Sequence, residues 1–122
     1  MRKILICDDD INIRKALKAV FNPQLYQVDE FESGNLAVDA LRKTDYDVVL
    51  MDIDMPDING IETITKMKEI KANLNVIVVT GHKLSDVMAV GYQQLNVYDI
   101  VEKPFDVEYL RHIVEESISV NS

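Results

Sequence analysis

A chain of 122 residues, 48% apolar and 28% charged, is long enough for one domain with a core and too apolar to be disordered. Its formal net charge of −8 argues against direct nucleic-acid binding, which rests on Lys and Arg, and fits a basic partner or a bound cation. No apolar run approaches the roughly 18–20 residues that cross a bilayer, so no membrane role is expected.

"MRKILICDDD" opens the chain with an apolar run too short for a signal peptide, and the lone Cys7 fits a reducing cytoplasm. Within it, "KILIC" reads as a strand. "INIRKALKAVF" follows as a helix, with Ile13, Ala16, Leu17, Val20 and Phe21 on one face, and "NP" at 22–23 stops it. "YQVDEF" alternates as a half-exposed strand. "ESGNLAVDALRK" is a helix with Leu36, Ala37, Ala40 and Leu41 on one side. "DVVLMD" is a continuously apolar strand, followed by the loop "MPDING" and the helix "GIETITKMKEI". "NVIVVT" is another apolar strand, "SDVMAVGY" a short, weak helix and "NVYDIV" a mixed strand. "DVEYLRHIVEESI" closes the series, with Val107, Leu110, Val114 and Ile118 sharing a face.

Five strand–helix units predict an α/β fold: a parallel sheet covered by helices on both sides. The first, third and fourth strands are apolar throughout and belong in the middle; the mixed second and fifth belong at the edges. The predicted order is 2-1-3-4-5, the flavodoxin-like doubly wound arrangement. Its ligands bind beyond the carboxyl ends of the strands, where the order reverses between strands one and three.

Asp8, Asp9 and Asp10 follow strand one. Asp52 ends strand three, Thr80 ends strand four, and Lys103 follows strand five before Pro104. All are expected on one rim. Clustered carboxylates repel, and a divalent cation removes the conflict; hard oxygen ligands with water suit Mg²⁺. Asp52 then stays ionised and can act as a nucleophile toward phosphorus. Lys103 and the Thr80 hydroxyl are placed to neutralise phosphoryl oxygens.

"DDD" with "INIR" behind it, "DIDMPDING", "VVTG" and "EKPF" occur in this order on these elements. Together they resemble the receiver domain of bacterial two-component response regulators over essentially the whole chain. The resemblance implies that Asp52 is the phosphoacceptor. It implies that Asp9, Asp52 and the backbone carbonyl of Asp54 ligate Mg²⁺ (or Mn²⁺), with Asp8 acting largely through water. Thr80 is then the switch hydroxyl, Lys103 the partner of the acceptor and of the phosphoryl group, and the Lys103–Pro104 bond cis. The implied donor is a phosphohistidine on a histidine kinase or phosphotransfer protein. The implied output is altered binding of a downstream protein through the face of helix four, strand five and helix five, where Val87, Val90, Tyr98 and Tyr109 are expected. Residues 1–122 are expected to be a single receiver domain with no output domain, a signalling module that catalyses only its own phosphorylation and dephosphorylation.

One position departs from the family. Receivers usually carry Tyr or Phe three residues before the lysine; here stands Ile100. Tyr98, two positions away, is expected to share that face of the strand and is a candidate substitute. His82 is expected at the surface near the mouth. Family members vary at the positions of His82 and Asp54, and both influence dephosphorylation. Among the three N-terminal acids, Asp10 also suits a helix cap. Two rival functions are an aspartyl-nucleophile Mg²⁺-dependent phosphohydrolase, for which Asp54 would supply the second acid, and a docking receiver that works without phosphorylation.

Overall fold

The computed structural model describes residues 1–55 and 59–120. Strands β1 (Arg2–Cys7), β2 (Tyr26–Phe31), β3 (Val48–Asp52), β4 (Asn75–Thr80) and β5 (Asp99–Glu102) alternate with helices α1 (Ile11–Ala19), α2 (Gly34–Lys43), α3 (Gly60–Ile70), α4 (Leu84–Ala89) and α5 (Val107–Val120). A 3-10 turn, Tyr92–Leu95, lies between α4 and β5. The strands pair in parallel in the order β2-β1-β3-β4-β5. This is the predicted flavodoxin-like order. The middle of the "MPDING" loop, residues 56–58, lies outside the described residues.

The order follows from which strands can be covered twice. Every residue of β3 is buried, whereas none of β2 is. Alternation sends successive β1 side chains to opposite layers. Ile4 and Ile6 join Leu17, Leu110 and Val114 from α1 and α5. Leu5 and Cys7 join Ala37, Leu41, Ile64 and Met67 from α2 and α3. Among the described residues, no helix is long and apolar enough to cross a membrane.

Side-chain caps fix where four helices begin, α5 through Asp106, whose carboxylate accepts the Tyr109 N–H at 2.9 Å. The Asp10 carboxylate accepts the Asn12 and Ile13 N–H groups, Ser33 accepts that of Leu36, and Asn59 accepts that of Glu62. α4 differs: Lys83 precedes it without a side-chain cap, and the Leu84 N–H instead reaches Glu102 Oε1 at 2.6 Å.

Three expected helix faces are drawn too wide. Ala16 is exposed, and Leu36 and Val107 are 47% and 42% exposed. The buried stripe of α2 runs instead through Gly34, Ala37, Val38 and Leu41. The fifth strand also starts later than expected, at Asp99, because Asn96 takes a left-handed turn with φ 58°. Tyr98 therefore lies before the strand and does not share the side of Ile100. It joins the layer that holds Val101 and Leu110, while Ile100 joins the opposite layer, which holds Val87 and Tyr92.

Candidate functional site

The carboxyl ends of β1, β3 and β4 and the residue after β5 bring Asp8, Asp52, Thr80 and Lys103 to one edge. Asp8, Asp52 and Thr80 are buried, and Asp9 is exposed at the opening. Carboxylate oxygens of Asp8, Asp9 and Asp52 all lie within 4.8 Å of one another. Lys103 Nζ stands 3.3 Å from Asp8 Oδ2 and 3.4 Å from Asp52 Oδ1. The Lys103–Pro104 peptide is cis, as expected.

Local hydrogen bonds hold this geometry. The Asp54 N–H donates to Asp52 Oδ1 at 2.9 Å, and the Asp10 N–H donates to Asp8 Oδ1 at 2.9 Å. Arg14 Nη1 donates to the Asp8 carbonyl at 2.7 Å, while Arg14 Nε lies 3.3 Å from Glu30 Oε1. The "INIR" arginine thus pins the end of β1 to α1 and β2, a role its sequence context did not reveal.

The electrostatics match the crowding. Burial above all, with the Asp8 charge adding to it, pushes the Asp52 carboxyl from 3.8 to about 6; the Asp54 N–H and Lys103 oppose the rise. Burial works against the Lys103 ammonium, but Asp52 and Asp8 outweigh it and raise its pKa. Burial and both acids push the Cys7 thiol up to about 12, leaving it an inert core group. Three convergent carboxylate donors, one of which resists ionisation, fit a hard divalent cation.

The Asp54 carboxylate gathers the neighbouring residues. Thr80 Oγ1 donates to Asp54 Oδ1 at 2.9 Å, and the Gly81 N–H donates to Asp54 Oδ2 at 2.6 Å. His82 is exposed, yet its Nδ1 lies 2.8 Å from Asp54 Oδ1 and 3.4 Å from Thr80 Oγ1. Burial alone would raise the Asp54 pKa, but the Gly81 N–H, Thr80 and His82 together hold it below its ordinary value. Behind this cluster a hollow of about 260 Å³ is lined by Ile53, Asp54, His82, Asp86, Val87, Val90 and Tyr92. Tyr92 is 7% exposed; its hydroxyl would stand 2.1 Å from a β-carbon at Gly60. A wider groove of about 550 Å³, between Lys15, Phe21 and Tyr26, shares no residue with the acid cluster.

Tyr98 and Tyr109 lie on the other side of β5. Their hydroxyls donate to Glu116 and Asp99 respectively. These bonds, followed by burial, push both phenols up to about 12.

The model of the response regulator receiver domain family matches residues 4–115. The chain is 35% identical over 120 residues to the sporulation initiation phosphotransferase F of Bacillus subtilis, covering 98% of this chain and 96% of that protein. It is 36% identical over 114 residues to the DNA-binding transcriptional regulator NtrC of Klebsiella pneumoniae; there the match covers 93% of this chain and only 24% of the regulator. Among solved structures, the response regulator TrrA of Thermotoga maritima, in complex with Mg²⁺-BeF, superposes with a TM-score of 0.83 at 28% identity, covering 96% of this chain and 99% of that one.

Proposed function

Because this chain belongs to the response regulator receiver domains of two-component signalling, we propose that Asp52 is its phosphoacceptor and that Asp8, Asp9, Thr80 and Lys103 serve the transfer. The observation that carries the reading is Lys103 Nζ within 3.4 Å of both Asp8 and Asp52, beside the convergent carboxylates.

The donor is a phosphohistidine of a histidine kinase or phosphotransfer protein. One Asp52 oxygen forms a bond to phosphorus as the phosphorus–nitrogen bond breaks, and the electron pair leaves with the imidazole. The Asp54 N–H holds the other Asp52 oxygen, which fixes the attacking orientation. Lys103 reaches the phosphoryl group from the side of Asp8 and offsets the charge it brings. Mg²⁺, or Mn²⁺ in its place, would be held by Asp8, Asp9, Asp52 and the Asp54 carbonyl, and would neutralise phosphoryl charge. The Mg²⁺-BeF complex of the Thermotoga relative supports that choice of metal.

The output is a change in protein binding at the face of α4, β5 and α5. Leu84, Met88, Val90, Val107 and Tyr109 are exposed on these elements or just beside them. α4 spans six residues, which suits a segment of low local stability. The chain acts as a signalling module and not as an enzyme turning over external substrates. A phosphohydrolase would aim the Asp54 carboxyl at a leaving group; here that carboxylate is held by Thr80, Gly81 and His82.

Intact mass after incubation with acetyl phosphate and Mg²⁺ tests the assignment. The wild type is expected to gain one phosphoryl group and Asp52→Ala none. Equal labelling of both would remove Asp52 from the role.

A further inference from the structure

Thr80 and Gly81 follow Val79, the register partner of Asp52, at the carboxyl end of β4, and the Thr80 hydroxyl and the Gly81 N–H are both already engaged. The two oxygens of Asp54 take one each, at 2.9 and 2.6 Å. A β-carbon at position 81 would stand 3.3 Å from Asp54 Oδ2 and would crowd the carboxylate by a few tenths of an ångström. His82 Nδ1 closes the outer side, 2.8 Å from the oxygen that Thr80 serves, and the His82 N–H donates back to Thr80 Oγ1 at 3.0 Å. A carboxylate two residues past the acceptor thus sits on the donors that a phosphoryl group on Asp52 would need.

We propose that the Asp54 carboxylate is an internal stand-in for the phosphoryl group, holding Thr80 and Gly81 in the unmodified chain and yielding them only when Asp52 carries a phosphoryl anion. The inference rests on the phosphoacceptor reading of Asp52 and adds a competitor within the same edge. Charge-assisted hydrogen bonds of this kind are strong enough to set the balance. The phosphoryl group must first displace Asp54, so the lock opposes the modified state. It also fastens the β3–α3 connection to the β4–α4 connection, so release at one end frees the other. Asp54 is therefore a positioning residue for Thr80, in addition to offering its backbone carbonyl to the metal.

The test is a titration with beryllofluoride and Mg²⁺, followed through the amide signals of residues 80–82, on four proteins forming a cycle: wild type, Asp54→Asn, Thr80→Val and the double variant. Asp54→Asn keeps the shape of the side chain and is expected to tighten binding about fivefold to tenfold. In the Thr80→Val background the gain is expected to fall to less than half of that, since the hydroxyl being freed is gone. Asp54→Ala is expected to tighten binding at least as much as Asp54→Asn. No gain, a loss, or a gain of equal size in both backgrounds overturns the inference, the last because it would mean simple charge repulsion. Asp52→Ala separates the two readings. If it binds the probe as well as wild type, the phosphoacceptor assignment fails, whatever Asp54 does.

Discussion

Lys103 Nζ lies 3.4 Å from Asp52 Oδ1, and Lys103 is the cation that partners this buried carboxylate. Removing it leaves Asp8 and Asp52 facing each other inside the protein. Lys103→Met is expected to cost about 1–3 kcal/mol at pH 7 in the absence of divalent metal, less than for a fully buried pair because the ammonium is partly solvated. The cost should shrink at pH 5, where the Asp52 carboxyl takes up a proton. Urea denaturation at the two pH values checks both parts.

The site holds Asp52 against its preference, with its carboxyl raised from 3.8 to about 6, chiefly by burial. The folded chain therefore binds this proton more tightly than the unfolded chain does. The resulting stability is fully present below about pH 4 and is lost as pH rises through about 6. Asp52→Asn removes the buried charge and is expected to stabilise the metal-free protein at pH 7 by about 1–2 kcal/mol while abolishing phosphorylation. Thermal unfolding between pH 4 and 8, in chelator, measures both the slope and its disappearance in the variant.

Much of this edge was legible because strand character is written in composition. The continuous apolar runs of β1, β3 and β4, against the mixed β2 and β5, pointed to the sheet order, and the order to where Asp8, Asp52, Thr80 and Lys103 converge. What stayed hidden lies between loops or outside regular strands. Asp54 reaches Thr80 and Gly81 across two connections that have no period to read. Tyr98 and Ile100 were expected on one side because residues two apart share a strand face. That rule operates only inside a strand, and β5 begins at Asp99. Likewise "SDVMAVGY" reads as one helix, but α4 ends at Ala89 and Gly91 takes φ 99°, which places Tyr92 on a separate turn.

Tyr92 is a buried ring in the core layer that Ile100 and Ile53 also join, and it packs over Gly60. Tyr92→Ala is expected to cost about 3–5 kcal/mol through the cavity it leaves. Gly60→Ala must push the Tyr92 hydroxyl aside and is expected to cost about 1–3 kcal/mol. In the Tyr92→Phe background that cost should fall, because the nearest clashing atom is gone. Chemical denaturation of the four proteins reads the coupling.

Glu102 supplies the N-terminal cap that Lys83 does not give α4. Glu102→Ala is expected to weaken α4 by about 1 kcal/mol, close to the cost of losing an N-cap. Amide hydrogen exchange across residues 84–89 should accelerate about fivefold, with the central strands unchanged. Equal protection in wild type and variant would show that α4 is held by other contacts.

The position of the acyl phosphate can be read directly from the chain. Protein phosphorylated by acetyl phosphate with Mg²⁺ is treated with borohydride, which reduces an aspartyl phosphate to homoserine, and the peptides are sequenced by mass spectrometry. Homoserine is expected at position 52 and at none of positions 8, 9, 10 and 54. Homoserine at one of those acids, with position 52 still aspartate, would contradict the assignment of Asp52 as acceptor.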